Sequence, residues 1–240
     1  MKKKIKISLS IIIAVIVLFL IAGLFYVNDY YHAESINTYL EGNENVSVIK
    51  TNNGLLLDGK GNQDAIIFYP GAKVEYTAYL PLFMNLSNNG IDCFIVEMPF
   101  NLAFFASDSA NDILNNNSYN YTNWYISGHS LGGVMASSYV HENPDKMNGL
   151  ILLASYPSED VNNIPVLSIY GSNDKVLDKI KYDESKKYMS RNLSEYIIQG
   201  GNHAQFAYYS NQSGDGLSSI SREEQIKESV DEILYFINHY

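Results

Sequence analysis

Ser130 lies in Gly128-His129-Ser130-Leu131-Gly132-Gly133, where an aromatic and β-branched run (Trp124-Tyr125-Ile126) gives way at once to a helical pattern carried by Val134, Met135, Ala136, Tyr139 and Val140. That order reads as strand, tight turn, helix. A serine at the apex of such a turn has strained backbone, so Gly128 and Gly132 are expected to remove Cβ atoms that would collide as strand and helix crowd together. The turn holds the hydroxyl clear of the sheet edge at a helix N-terminus, where developing negative charge is favoured. An ordinary serine in a glycine-rich turn would share this local pattern, so the chemistry depends on partners elsewhere in the chain.

A neutral serine is a poor nucleophile and needs a base within hydrogen-bond reach, itself oriented by an acid. Of the five histidines, His32 adjoins an apolar N-terminal run, His239 is nearly terminal and His141 ends a helix. His129 points away from its neighbour Ser130. His203, in the Gly200-Gly201-Asn202-His203 loop after the last apolar strand, is the expected base. The acid is expected in Tyr170-Gly171-Ser172-Asn173-Asp174, after the penultimate strand. Asp174 precedes His203, as the order nucleophile, acid, base requires; Asp215 follows it, and Glu97 ends an earlier strand. Acyl transfer also needs two backbone N–H donors for the oxyanion. Leu131 supplies one, and the loop after the strand ending at Tyr69 should supply the other, with Ala72 ahead of Gly71. No metal or organic cofactor is implied, and zinc-type Cys/His spacings are absent.

Elements must place these residues together. Val46–Thr51 and Leu55–Asp58 flank Asn52-Asn53-Gly54 as a hairpin, and strands are expected at 65–69, 91–96, 124–129, 149–154, 166–170 and 196–198. Helical patterns fall near 79–86, 107–114, 134–141 and 176–189. A closing helix follows the capping box Ser221-Arg222-Glu223-Glu224. Unbroken apolar strands alternating with helices imply an α/β fold with a mostly parallel central sheet and helices on both faces. Ligands of such sheets bind at the strands' carboxyl ends, where Gly71-Ala72, Ser130, Asp174 and His203 all fall.

Phe68-Tyr69-Pro70-Gly71, the Gly128–Gly133 turn, Tyr170–Asp174 and Gly200-Gly201-Asn202-His203-Ala204-Gln205-Phe206 together resemble an α/β-hydrolase-fold serine hydrolase over residues 44–240. More narrowly, they resemble small bacterial membrane-anchored, dienelactone-hydrolase-like hydrolases. Two departures stand out: Pro70 replaces the histidine common before glycine in lipase and esterase oxyanion loops, and the nucleophile is serine rather than the cysteine of true dienelactone hydrolases. The resemblance implies hydrolysis of a small-molecule or exposed carboxylic ester through a Ser130–His203–Asp174 triad. A lipase, thioesterase or acyltransferase, or an inactive tethered binding protein, is the alternative. Only about ten residues, Tyr156 to Pro165, are available for a lid, so a minimal lid and an open site are expected. Phe100, Leu102, Phe104 and Phe105 read equally as an acyl-pocket wall or as core.

The N-terminus differs from the rest. Lys2, Lys3, Lys4 and Lys6 form a basic tip over residues 1–6, and an uncharged apolar run over 7–27 has the ~20 residues needed to cross a bilayer core. It lacks a small-x-small cleavage context, so it reads as an uncleaved single-pass transmembrane anchor, with a cleaved signal peptide as the alternative. Residues 28–43 read as a juxtamembrane linker, and 44–240 as one domain. The lysines precede the run, which puts the N-terminus in the cytoplasm and the domain outside the cell membrane. Without those four lysines, 12 basic residues face 26 acidic ones, a body near −14, which excludes nucleic acid as a natural partner. Cys93 is the only cysteine and alternates with Ile91 and Ile95 as a buried apolar residue.

Overall fold

The computed structural model describes residues 2–61, 63–161, 164–189 and 192–240, with side chains in the N-terminal helix from Ile12 onward. It divides into two compact units, Met1–Tyr30 and Tyr31–Tyr240. The first unit is helix α1 (Lys2–Asn28). Its side chains from Ile12 to Tyr26 are apolar all round and almost all exposed, Phe19 and Phe25 to about three quarters of their surface. The side chains of the basic tip and of the first residues of the expected 7–27 span lie outside the described residues. The transmembrane helix expected there is not found: among the described residues no helix is long and apolar enough to cross a membrane. Residues 12–28, whose side chains are described, fall short of the ~20 needed.

The second unit is built on one eight-stranded sheet. Its strands are β1 (Ser47–Thr51), β2 (Gly54–Asp58), β3 (Asp64–Tyr69), β4 (Asp92–Val96), β5 (Asn123–His129), β6 (Gly149–Leu153), β7 (Val166–Gly171) and β8 (Leu193–Ile198). The order across the sheet is β1-β2-β4-β3-β5-β6-β7-β8. The β1–β2 hairpin pairs antiparallel to β4, and every other pairing is parallel. The central strands are unbroken apolar runs because both their faces are covered: Ile66, Ile67, Phe68, Ile126, Leu150, Ile151 and Leu152 have no exposed surface.

The helices are α2 (Asn37–Leu40), α3 (Leu80–Asn88), α4 (Ala110–Leu114), α5 (Leu131–Glu142), α6 (Lys179–Ser185) and α7 (Arg222–Ile237). From β3 the chain crosses by α3 to β4 on one side, and from β5 by α5 to β6 on the other. Right-handed crossovers in opposite directions put α3 and α5 on opposite faces. Helix α7 packs on α3, burying Ile226, Val230, Ile233, Phe236 and Ile237. Its start is capped as the sequence indicates, Ser221 Oγ accepting the Glu224 N–H at 3.1 Å.

Two elements differ from expectation. The helix expected from 176 begins at Lys179, because Asp174 holds residues 174–177 in a turn by accepting the N–H groups of Val176 and Leu177, each at 2.8 Å. Residues 31–33 belong to the compact unit: Tyr31 bridges Val74 and Ala33 bridges Tyr209. Between β6 and β7 the described residues contain no helix, in keeping with a minimal lid.

The strand ends converge through close backbone approach. A Cβ on Gly171 would lie 2.3 Å from the Gly201 carbonyl carbon and 2.5 Å from the Asn202 nitrogen, both backbone atoms. Gly171→Ala is therefore expected to push the ends of β7 and β8 apart at a cost of about 1–3 kcal/mol, read as a lower urea midpoint for the full chain. An unchanged midpoint would mean that the two loops are not held this closely.

Candidate active site

Ser130 follows β5 and has φ 51°, ψ −123°, left-handed backbone that a non-glycine residue adopts only under constraint. The constraint is visible. A Cβ on Gly128 would lie 2.4 Å from the Gly132 carbonyl, as expected for strand meeting helix. A Cβ on Gly132 would instead meet the carbonyl oxygens of Tyr69 and Pro70, at 2.1 and 2.4 Å, so this glycine serves the approach of α5 to the end of β3. Ser130 N–H donates to the Leu153 carbonyl at 3.0 Å, and its carbonyl accepts the Ser155 hydroxyl at 2.6 Å. Ser155 was not legible as a site residue, since a small polar residue after a strand carries no signal of its own.

Asp174 and His203 are brought together. His203 Nδ1–H donates to Asp174 Oδ2 at 2.8 Å, with both side chains essentially without exposed surface. The other oxygen, Oδ1, accepts the Val176 and Leu177 N–H groups. With Nδ1 carrying the proton, His203 Nε2 is a bare acceptor; it is buried and has no hydrogen-bond partner. The nucleophile–base hydrogen bond expected from the sequence is therefore not made. Such bonds are often long or misaligned until substrate arrives. Ser130 and His203 nonetheless line one cleft of about 220 Å³, with Leu131, Val134, Ala154, Ser155, Tyr156, Val176, Leu177 and Asp178.

The two loops are laced together. Ser172 and Asn173 N–H groups donate to the Ile198 and Gly201 carbonyls, and Gly200 N–H donates to Ser172 Oγ. Asp215, the rival acid, is otherwise occupied: its oxygens accept the Ala204 N–H at 3.0 Å and the Gly216 N–H at 2.7 Å. It props the histidine loop instead of facing the imidazole. Glu97 is exposed, beside Tyr76. Gln225, fully buried on α7, grips the backbone next to His203, accepting the Asn202 N–H at 3.0 Å and donating to its carbonyl at 2.8 Å. Its only sequence signal is a polar residue on the apolar stripe of α7.

Of the expected oxyanion donors, Gly71 N–H is committed to Tyr79 Oη at 3.0 Å. Ala72 and Leu131 N–H groups have no acceptor among the described residues. The loop after Ala72 is held by Lys73, at φ 59°, whose N–H donates to the Asn101 carbonyl at 2.8 Å. Leu102 belongs to the buried residues, whereas Phe100, Phe104 and Phe105 are more than half exposed and lie outside the residues lining the cleft, so none of the four walls it.

A strained serine between strand and helix, a buried Asp–His pair and a mostly parallel sheet that ends beside both are the arrangement of the α/β-hydrolase fold. A model of the alpha/beta hydrolase family matches residues 65–227, more than half of the chain, and the chain belongs to that family. No curated protein matches it in sequence. Among solved structures it is similar to a dienelactone hydrolase from Anabaena variabilis, with a TM-score of 0.64 and 13% identity, covering 82% of this chain and 99% of that one. It is also similar to a Paleococcus ferrophilus monoacylglycerol lipase, with a TM-score of 0.60, 12% identity and coverage of 79% and 99%. A Bacillus subtilis carboxylesterase matches at a TM-score of 0.56, with 10% identity and coverage of 84% and 94%. At such identities the likeness is one of fold.

Removing the Gln225 grip leaves two buried backbone groups of Asn202 unpaired. Gln225→Leu is expected to lower unfolding free energy by about 2–4 kcal/mol in urea titration. A loss under ~0.5 kcal/mol would show that water or a rearranged loop replaces both bonds.

Proposed function

We propose that this hydrolase cleaves small carboxylic esters through an acyl-enzyme on Ser130. The reading rests chiefly on the buried His203–Asp174 hydrogen bond, which leaves Nε2 bare in a residue that lines the same cleft as the strained serine. His203 removes the Ser130 proton as Oγ attacks the ester carbonyl. Leu131 and Ala72 N–H groups receive the oxyanion, and Asp174 stabilises the imidazolium. His203 then returns the proton to the departing alcohol. Water, activated by the same nitrogen, releases the acid and restores Ser130.

The cleft, at about 220 Å³, is smaller than the ~300–1,000 Å³ of pockets that enclose drug-sized ligands, which favours a short acyl group. Its apolar lining of Leu131, Val134, Val176 and Leu177 suits an alkyl chain, and the acidic Asp178 among the lining residues disfavours an anionic one. Structural neighbours named as a lipase and a carboxylesterase support an ester as the substrate. The short β6–β7 connection argues against interfacially gated lipolysis.

The chain is further proposed to be tethered to the cell membrane through residues 7–27, with the catalytic unit outside. An apolar run over residues 7–27 that follows four lysines, with the described part of α1 from Ile12 to Tyr26 apolar on every side, supports this.

With p-nitrophenyl esters of increasing chain length, turnover is expected to be greatest at acyl chains of about two to four carbons. Ser130→Ala should abolish it, and Asp174→Asn should lower kcat by about 10³–10⁴-fold. Turnover that survives Ser130→Ala would contradict the mechanism. A flat profile to long chains would contradict the proposed pocket.

A further inference from the structure

His129, which the proposed mechanism does not use, makes hydrogen bonds through both of its ring nitrogens. It is buried beneath the elbow, its ring 4.6 Å from that of His203 and 5.7 Å from that of Tyr79. Its Nε2 lies 3.1 Å from the His203 carbonyl oxygen, and its Nδ1 lies 2.7 Å from Tyr79 Oη. A carbonyl only accepts, so Nε2 must carry the hydrogen. Nδ1 of the neutral ring is then an acceptor, and the Tyr79 hydroxyl donates to it. Tyr79 Oη in turn accepts the Gly71 N–H at 3.0 Å.

The result is a directed chain of three hydrogen bonds, from Gly71 in the oxyanion loop through Tyr79 and His129 to the main chain of His203. The close fit requires glycine at its start: a Cβ on Gly71 would lie 2.8 Å from His129 Nδ1 and 3.0 Å from Tyr79 Oη. The titratable side chains packed on the ring are Tyr79 and His203, and Phe206 covers another side at 5.6 Å. Burial, then the neighbouring His203 charge, hold the His129 imidazole well below the ordinary histidine range, and burial pushes Tyr79 up. Both groups stay neutral and keep their assigned directions.

We infer that His129 is a positioning residue: an Nε2–H imidazole that, through Tyr79, locks the oxyanion loop to the backbone of the base. The elbow then fixes three parts of the site at once, the nucleophile through its own backbone and the other two through the side chain beside it. The inference rests on the reading of Ser130, Asp174 and His203 as a triad, but its first test does not.

In that test, ¹⁵N-histidine NMR follows the full chain in detergent from pH 5 to 9, the His129 signals being those lost in His129→Gln. One bare Nδ1 and one protonated Nε2, unchanged across the range, are expected. Titration within the range, or the opposite tautomer, would overturn the inference whether or not the protein has activity.

The second test uses kinetics on p-nitrophenyl acetate. Tyr79→Phe keeps the ring and removes the hydroxyl, and is expected to lower kcat by about 10–100-fold while KM changes less than about threefold. His129→Gln, which retains one donor and one acceptor, should keep about tenfold more kcat than His129→Leu. Equal kcat in wild type and Tyr79→Phe, or equal loss in the two His129 variants, would overturn the positioning role. If wild type shows no Ser130-dependent turnover, the triad reading fails and the tautomer result alone decides whether the lock exists.

Discussion

The site depends on one strained residue. Ser130 occupies a backbone conformation costing on the order of 1–3 kcal/mol, and it persists only because its surroundings permit little else. Two glycines let α5 approach the ends of β5 and β3, and the Leu153 carbonyl and Ser155 hydroxyl pin the serine's own N–H and C=O. Any side chain at Gly128 or Gly132 would collide with backbone, which cannot swing aside. The central place of β5 in the sheet follows from the same requirement, since the elbow must be supported by β3 on one side and β6 on the other.

Around that point the active-site polar groups are tied to one another through the main chain. Asp174 spends one oxygen on its own loop and the other on His203. Gln225 and Asp215 hold the backbone on either side of His203. Within the proposed triad of Ser130, Asp174 and His203, His203 Nε2 is the buried atom left without a partner. A buried nitrogen with no bond of its own is costly in a purely structural setting, and it is what a general base must offer.

Much of this was legible because steric and covalent rules act locally. Glycine spacing around Ser130 announces the elbow, and uninterrupted apolar runs announce strands covered on both faces. The Tyr170–Asp174 and Gly200–His203 loops announce themselves by following such strands in order. Gln225, Ser155 and Tyr79 were not legible, because a polar residue on an apolar stripe or after a strand looks the same whether or not a distant backbone group needs it. The late start of α6 was hidden for a related reason: the Asp174 side chain outcompetes helix propensity by taking the N–H groups of the first expected turn. Residues 31–33 looked like a polar linker, yet Tyr31 N–H donates to the Lys73 carbonyl at 2.7 Å and so steadies the loop after β3.

The most direct measurement is fluorophosphonate labelling of the full chain, read by intact mass and peptide mapping. An activated serine yields one adduct, on Ser130, and none in His203→Ala. No adduct on a folded protein, or an adduct on Ser130 that forms as fast in His203→Ala, would contradict a serine made nucleophilic by the buried His203–Asp174 pair.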